Sequence, residues 1–140
     1  MKDLILKNFN SLISEKSFKM KESKLSSVIH QTVTIENESI GFSFELDKRT
    51  KDFWVNVNLK SNDKLISVLN EDNNINIDFF LAQLDNSFKS CDSSLALNEK
   101  MRLYACLISK HYDVLALLSE AHIKKAIKLR EEHFQSTFEN

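Results

Sequence analysis

Residues 95–109, LALNEKMRLYACLIS, are compatible with two different structures. In the first, they begin a long helix that continues through residues 110–134. In the second, they form a β-hairpin that turns at Asn98-Glu99-Lys100, and a new helix starts only after it. Periodicity does not separate the two, because both a helical stripe and a strand alternation can be drawn through residues 101–112.

Two neighbouring features favour the hairpin. The run SSLAL at residues 93–97, directly before the polar turn, is compatible with a strand. Asp113 is a good N-cap for a new helix, since apolar residues follow it at helical spacing. Composition argues the other way, because Ala, Leu, Met, Glu and Lys favour helices and the turn lacks glycine. We predict the hairpin.

Two further helices are predicted before this segment. Residues 2–20 form an amphipathic helix, because their apolar residues fall in one stripe at about 100° per residue. These residues are Ile5, Phe9, Leu12, Ile13 and Met20. The basic residues 16–24 are its end and a linker. Residues 78–90 predict a second helix, capped by Asp78.

Between these helices the hydrophobic period changes to two. Residues 27–35, 40–46 and 53–59 place apolar side chains on one face and polar side chains on the other. Short polar connections join the three segments, which is typical of an antiparallel meander with one face in water. Trp54 falls on the polar face, among asparagines.

The elements then follow the order α-β-β-β-α-β-β-α. This is an α+β fold with an antiparallel sheet, an N-terminal amphipathic helix and a long C-terminal helix. The chain has 140 residues, so we predict a single domain over residues 1–140. The formal net charge of −1 gives no broad attraction to nucleic acid or membrane.

Glycine is scarce, and this bears on chemistry. Gly41 is the one glycine in the chain, so no phosphate-binding loop or nucleophile elbow can be written. The two cysteines, Cys91 and Cys106, are too few for a disulfide framework, which favours a reducing cytoplasm. No cofactor or catalytic site is expected.

The histidines also fail to make a site. His111, His122 and His133 would share a face of one helix, but neighbours would lie about 16 Å apart at 1.5 Å per residue. One metal ion cannot bridge that distance. Cys106 and His111 do not meet on a helix or on a strand, so no thiolate–imidazole pair forms between them.

Trp54 is the residue that points most clearly to a function. Tryptophan is enriched at the energetic centres of protein interfaces. A partner-binding or dimer role for Trp54 stands beside a structural role in which a helix covers that face.

The order of elements resembles the type III secretion chaperones, the small class that escorts individual effectors. The resemblance is carried by a first helix (4–13), a three-stranded meander (31–59), a helix (78–88), a late hairpin (93–109) and a long last helix (113–134). Two features depart from the family: the near-neutral charge, and residues 91–93, where members commonly carry a glycine.

This resemblance implies a homodimer in the bacterial cytoplasm that performs no catalysis and binds the unfolded N-terminal segment of a secreted effector. By analogy, the partner-binding candidates are Ile5, Phe9, Leu12, Ile13, Val33, Ile35 and Phe44, together with Trp54. The dimer-interface candidates are Phe80, Leu84, Phe88, Tyr104, Cys106 and Ile108. Each of these residues also fits an ordinary place in the core.

Two other functions remain open at this point. An immunity protein that neutralises a bacterial toxin by direct binding is also a small cytoplasmic α+β protein without catalytic motifs. A thiol or metal hydrolase would use Cys91 or Cys106 with a histidine, but no motif supports it.

Overall fold

The computed structural model describes residues 1–23, 29–59, 74–88 and 94–139. These residues form four helices and a five-stranded antiparallel sheet, so the α+β class is confirmed. The helices are α1 (Lys2–Glu15), α2 (Asp78–Leu84), α3 (Leu97–Leu115) and α4 (Glu120–Glu139). The strands are β1 (Lys19–Glu22), β2 (His30–Glu36), β3 (Ile40–Asp47), β4 (Phe53–Leu59) and β5 (Asn74–Asn76).

The predicted hairpin at residues 95–109 is wrong, because α3 runs without interruption across Lys100 and Met101. The predicted order of elements is therefore wrong as well: α2, α3 and α4 follow one another after the sheet. The buried residues of α3 explain this outcome. Met101, Tyr104, Ala105 and Ile108 all face the core, with the spacing of three and four residues that one helix face provides.

The start of the last helix also differs from the prediction. Asp113 lies inside α3 and does not cap a helix. Ser119 takes that role for α4: its Oγ accepts the backbone N–H of His122 at 3.3 Å. In return, Nδ1 of His122 accepts the backbone N–H of Ser119 at 3.3 Å. This reciprocal pair is a capping box with histidine in the place of the usual Glu or Gln.

The sheet is a simple meander in the order β1-β2-β3-β4-β5, with every neighbouring pair antiparallel. The predicted central strands are confirmed as β2, β3 and β4. The outer strand β1 lies where we predicted the end of the first helix and a linker, and no strand was predicted at β5. They have four and three residues, too few for an alternating pattern to stand out in the sequence.

The core lies between the inner face of the sheet and the helices. Phe9 of α1 meets Phe44 of β3 edge-on, with ring centroids 5.0 Å apart. Tyr104 of α3 packs against Phe53 of β4 at 6.1 Å. Its hydroxyl donates a 2.7 Å hydrogen bond to Asp78, the first residue of α2. Tyr104 therefore connects three elements that are far apart in the chain.

α1 ends in a Schellman motif without glycine. Ser17 has a φ of 57°, in the left-handed region, and the backbone N–H of Phe18 donates to the carbonyl of Ile13 at 3.0 Å. The reversal places Phe18 in the core, 5.9 Å from Phe42 and 6.0 Å from Tyr112 between ring centroids. A side chain at a left-handed position is unfavourable, and glycine avoids this cost.

Ser17→Gly is therefore expected to raise the free energy of unfolding by about 0.5–1 kcal/mol, measured by urea denaturation. The matched control is Ser11→Gly, an exposed position inside α1, where glycine is expected to lower stability by about 0.5 kcal/mol. Equal changes of the same sign at both positions would contradict the assigned helix end.

Candidate functional site

The structure places most of the candidate binding residues inside the protomer. Ile5, Phe9, Val33, Ile35 and Phe44 are fully buried, and Leu12 is nearly so. Ile13 packs against the core and is partly buried. A side chain covered in this way is not available to a partner in this conformation. Of the partner-binding set, Trp54 is the residue that lies on the outer face of the sheet.

The candidate dimer residues are divided in the same way. Phe80, Phe88, Tyr104 and Ile108 belong to the core, with at most 9% of their surface exposed. Leu84 is partly buried against that core. Cys106 is exposed on α3 and is not in a disulfide. These six residues therefore do not form a shared surface.

The outer face of the sheet carries a polar network instead. The strand register sets Glu45 of β3 opposite Trp54 of β4. The Trp54 indole N–H donates to Oε2 of Glu45 at 2.8 Å, and the Asn56 amide donates to the same oxygen at 2.5 Å. Nε2 of His30 lies 3.4 Å from the other oxygen, Oε1. The His30 and Trp54 rings are 5.6 Å apart between centroids. We call His30, Glu45, Trp54 and Asn56 the Glu45 cluster.

The Glu45 cluster contains a carboxylate with little positive charge beside it. The Glu45 side chain is only 19% exposed, and within the described parts of the chain its one ion-pair contact is with His30. A carboxylate so far removed from water normally has a cationic partner. Arg49 is not the cationic partner of Glu45, because its guanidinium pairs with Asp47 at 3.6 Å. Among the described residues, the cluster therefore has fixed hydrogen bonds and, apart from His30, no basic partner for Glu45.

A second polar group adjoins this cluster on the same face. The Asn58 amide donates to the hydroxyl of Ser43 at 2.9 Å, and the Thr34 and Ser43 hydroxyls are 3.2 Å apart. Asn58 Oδ1 is buried and has no hydrogen-bond partner among the described residues. Gly41 makes room for this side chain: a Cβ there would lie 3.2 Å from Asn58 Cβ. The single glycine thus leaves space for the Asn58 side chain, and it does not adopt a positive φ.

Gly41→Ala is expected to lower the free energy of unfolding by about 1–2 kcal/mol in guanidinium denaturation, because the added methyl overpacks Asn58. In an Asn58→Gly background the colliding atoms are gone, so the same substitution should cost about 1 kcal/mol less. An equal cost in both backgrounds would show that the close contact with Asn58 is not the cause.

Asp85 organises a different polar cluster, at the end of α2. Its carboxylate accepts from the Ser87 hydroxyl at 2.6 Å, from Lys110 at 3.2 Å and from His111 at 3.3 Å. A serine nucleophile would have to donate to the histidine, whereas Ser87 donates to Asp85. The cluster therefore joins the end of α2 to α3 and is not arranged as a catalytic triad.

These contacts change the acidity of Asp85. The Ser87 hydroxyl, followed by His111 and Lys110, holds the pKa of Asp85 well below its ordinary value of 3.8. A carboxyl with a lower pKa in the folded state contributes stability above its unfolded pKa and loses that contribution as the pH falls.

The melting temperature of the protein should therefore fall between roughly pH 5 and pH 2, and Asp85→Asn should reduce the size of that fall. Near pH 7 the variant should melt below the native protein, because the carboxylate is then charged and bonded. Thermal melts followed by circular dichroism would measure both effects. The control is Asp113→Asn, which removes an exposed carboxyl from α3 and should keep the native pH profile. An Asp85→Asn profile parallel to the native one would contradict this assignment.

The three evenly spaced histidines occupy separate environments. His111 contacts Asp85 from α3, His122 belongs to the capping box of α4, and the His133 ring lies 6.1 Å from the ring of Phe79. In the part of the chain that the structure describes, no three His, Cys, Asp or Glu residues are grouped to hold a metal ion. Cys91 lies outside the described residues.

A cleft of about 700 Å³ opens where α1, the β2–β3 turn and α3 meet. Asn37 is one of the residues that line this cleft. Its amide N–H groups donate to the Lys16 carbonyl and to the Tyr112 hydroxyl, each at 2.9 Å. Its Oδ1 accepts the backbone N–H groups of Ser39 and Ile40. Because both ends of the amide are engaged, Asn37 closes the turn and has a structural role.

The polar face around Glu45 and Trp54 could be expected from the sequence only in part. Strand alternation predicted that Trp54, Asn56 and Asn58 share the polar face, and the register confirms it. The role of Glu45 was missed, since a glutamate near a predicted turn is usually a solvated residue. No pattern within β3 signals that an acid there accepts from a tryptophan on the next strand.

Comparison of this chain with protein-family models, with curated proteins and with solved structures gave no significant match. Among the helices of the described residues, none combines the length and the apolar character needed to cross a bilayer.

Proposed function

We propose that this protein is a non-catalytic binding protein whose partner docks on the outer face of the sheet, at the Glu45 cluster. One observation carries this proposal: the chain's single tryptophan is held in a fixed orientation on that face by its hydrogen bond to a largely buried carboxylate. A rigid aromatic ring beside polar groups is the usual make-up of an interface centre.

The role of an escort for a secreted effector remains a proposal. It is supported by the amphipathic α1 in front of an antiparallel meander, the order that the resemblance requires at the N-terminal end. Two findings weigh against it: residues 97–115 form α3 where the family has a late hairpin, and the proposed groove residues lie in the core. An escort that wraps an unfolded segment needs open apolar grooves.

The alternative, an immunity protein that binds a folded toxin, has specific support from the Glu45 cluster. A hydrogen-bonded polar surface with an incompletely compensated carboxylate suits a folded, charged partner better than an extended apolar peptide. We therefore place the toxin-neutralising function ahead of the effector-escort function for this structure.

The oligomeric state separates the two functions. Size-exclusion chromatography with light scattering should give a monomer near 16.2 kDa for the immunity protein, and about twice that mass for the escort. A dimer would therefore reverse the order of these two proposals.

For either function, a toxin or effector encoded by a neighbouring gene is the candidate partner, and the binding face is tested with that protein. We expect Trp54→Ala to weaken its binding, measured by calorimetry, by about 2 kcal/mol or more. The control is Phe134→Ala, which removes an exposed aromatic ring from α4 and should leave the affinity unchanged. Equal affinities for the native protein and Trp54→Ala would refute the proposed face.

A further inference from the structure

We propose that the Glu45 cluster binds an arginine side chain presented by the partner, with the guanidinium donating to Oε1 of Glu45 and stacking on the Trp54 ring. This inference deepens the proposed function and rests on it. It names the chemical group that the outer face recognises.

The first argument is the unequal use of the two Glu45 oxygens. Oε2 already accepts from Trp54 and Asn56, at 2.8 and 2.5 Å. Among the described residues, Oε1 has one contact, with Nε2 of His30, at a long 3.4 Å. A carboxylate oxygen has lone pairs for more than one donor. Oε1 is therefore the oxygen that has lone-pair capacity left for an incoming N–H group.

The second argument is charge. The donors on Oε2 are a neutral indole and a neutral amide, so they orient the carboxylate without neutralising it. His30 neutralises it only when protonated. Among the described residues, Asp47 lies opposite His30 in the strand register, but it is itself an acid and is paired with Arg49. A cation from a partner would complete the cluster.

The third argument selects arginine over lysine. Glu45 and Trp54 face each other across β3 and β4, so a group that contacts both needs a hydrogen-bonding edge and a flat face. Guanidinium has both, since its planar fork matches a carboxylate and its face stacks on aromatic rings. The tilted His30 ring, 5.6 Å from Trp54, adds a second aromatic surface at the same place.

The test uses Trp54 as an intrinsic reporter, because it is the only tryptophan of the chain. Acetyl-arginine methylamide is added to the full chain at constant ionic strength, and the tryptophan fluorescence is followed. We expect a saturable change with a dissociation constant on the order of 1–10 mM, as for a single side-chain contact. The neutral isostere acetyl-citrulline methylamide should bind at least about tenfold more weakly.

Variants then assign the effect to Glu45. Glu45→Gln keeps an oxygen that can accept from Trp54 and Asn56 but removes the charge, and should weaken arginine binding about tenfold or more. The matched control is Glu36→Gln, an acid of β2 on the same face, which should bind arginine like the native protein. Circular dichroism of both variants verifies that the sheet is retained.

The inference is overturned if the response to arginine does not saturate, if citrulline produces the same response, or if Glu45→Gln binds arginine as the native protein does. Compensation of Glu45 by protonated His30 alone predicts this last result.

The partner assay distinguishes this failure from failure of the proposed function. If partner binding depends on Trp54 but not on Glu45, the proposal of arginine recognition is refuted and the proposed binding face is retained. If partner binding depends on neither residue, the proposed binding face is refuted, whatever the result of the arginine titration.

Discussion

The inner face of the sheet must be covered, and the arrangement of the helices follows from this requirement. β2, β3 and β4 place alternate side chains on that face, and these are almost fully removed from water. α1 and α3 cover the face through the pairs Phe9–Phe44 and Tyr104–Phe53. A hairpin at residues 95–109 would have turned Tyr104 and Ile108 away from Met101 and Ala105. As a helix, the same residues bury all four on one side.

The backbone reverses direction with little help from glycine. The two described residues with positive φ are Ser17 at 57° and Lys51 at 64°, which close α1 and the β3–β4 turn. Side-chain hydrogen bonds stabilise the turns in place of glycine, as Asp47 does for the N–H of Arg49 and Asn37 for that of Ile40. The one glycine, Gly41, lies in a strand and accommodates Asn58.

The outer face of the sheet follows a different physical rule from the inner face. Its side chains satisfy one another by hydrogen bonds across neighbouring strands, as Glu45 does with Trp54 and Ser43 with Asn58. Such bonds fix side-chain positions but do not supply a counter-charge for Glu45. A surface that is already ordered loses little entropy on binding, and this supports the proposal that the Glu45 cluster recognises a charged group on a folded partner.

The sequence alone predicted the fold class, the meander and the side of the sheet on which Trp54 lies. This was possible because a strand has a period of two, and a shift of one residue would exchange its faces. β1 and β5 were not readable, since three or four residues cannot display a period. Residues 95–109 satisfied two periods equally, and long-range contacts with Phe53 and Asp78 selected the helix. The Glu45 cluster likewise needed the register of β3 against β4, which is a property of two strands packed together and of neither strand alone.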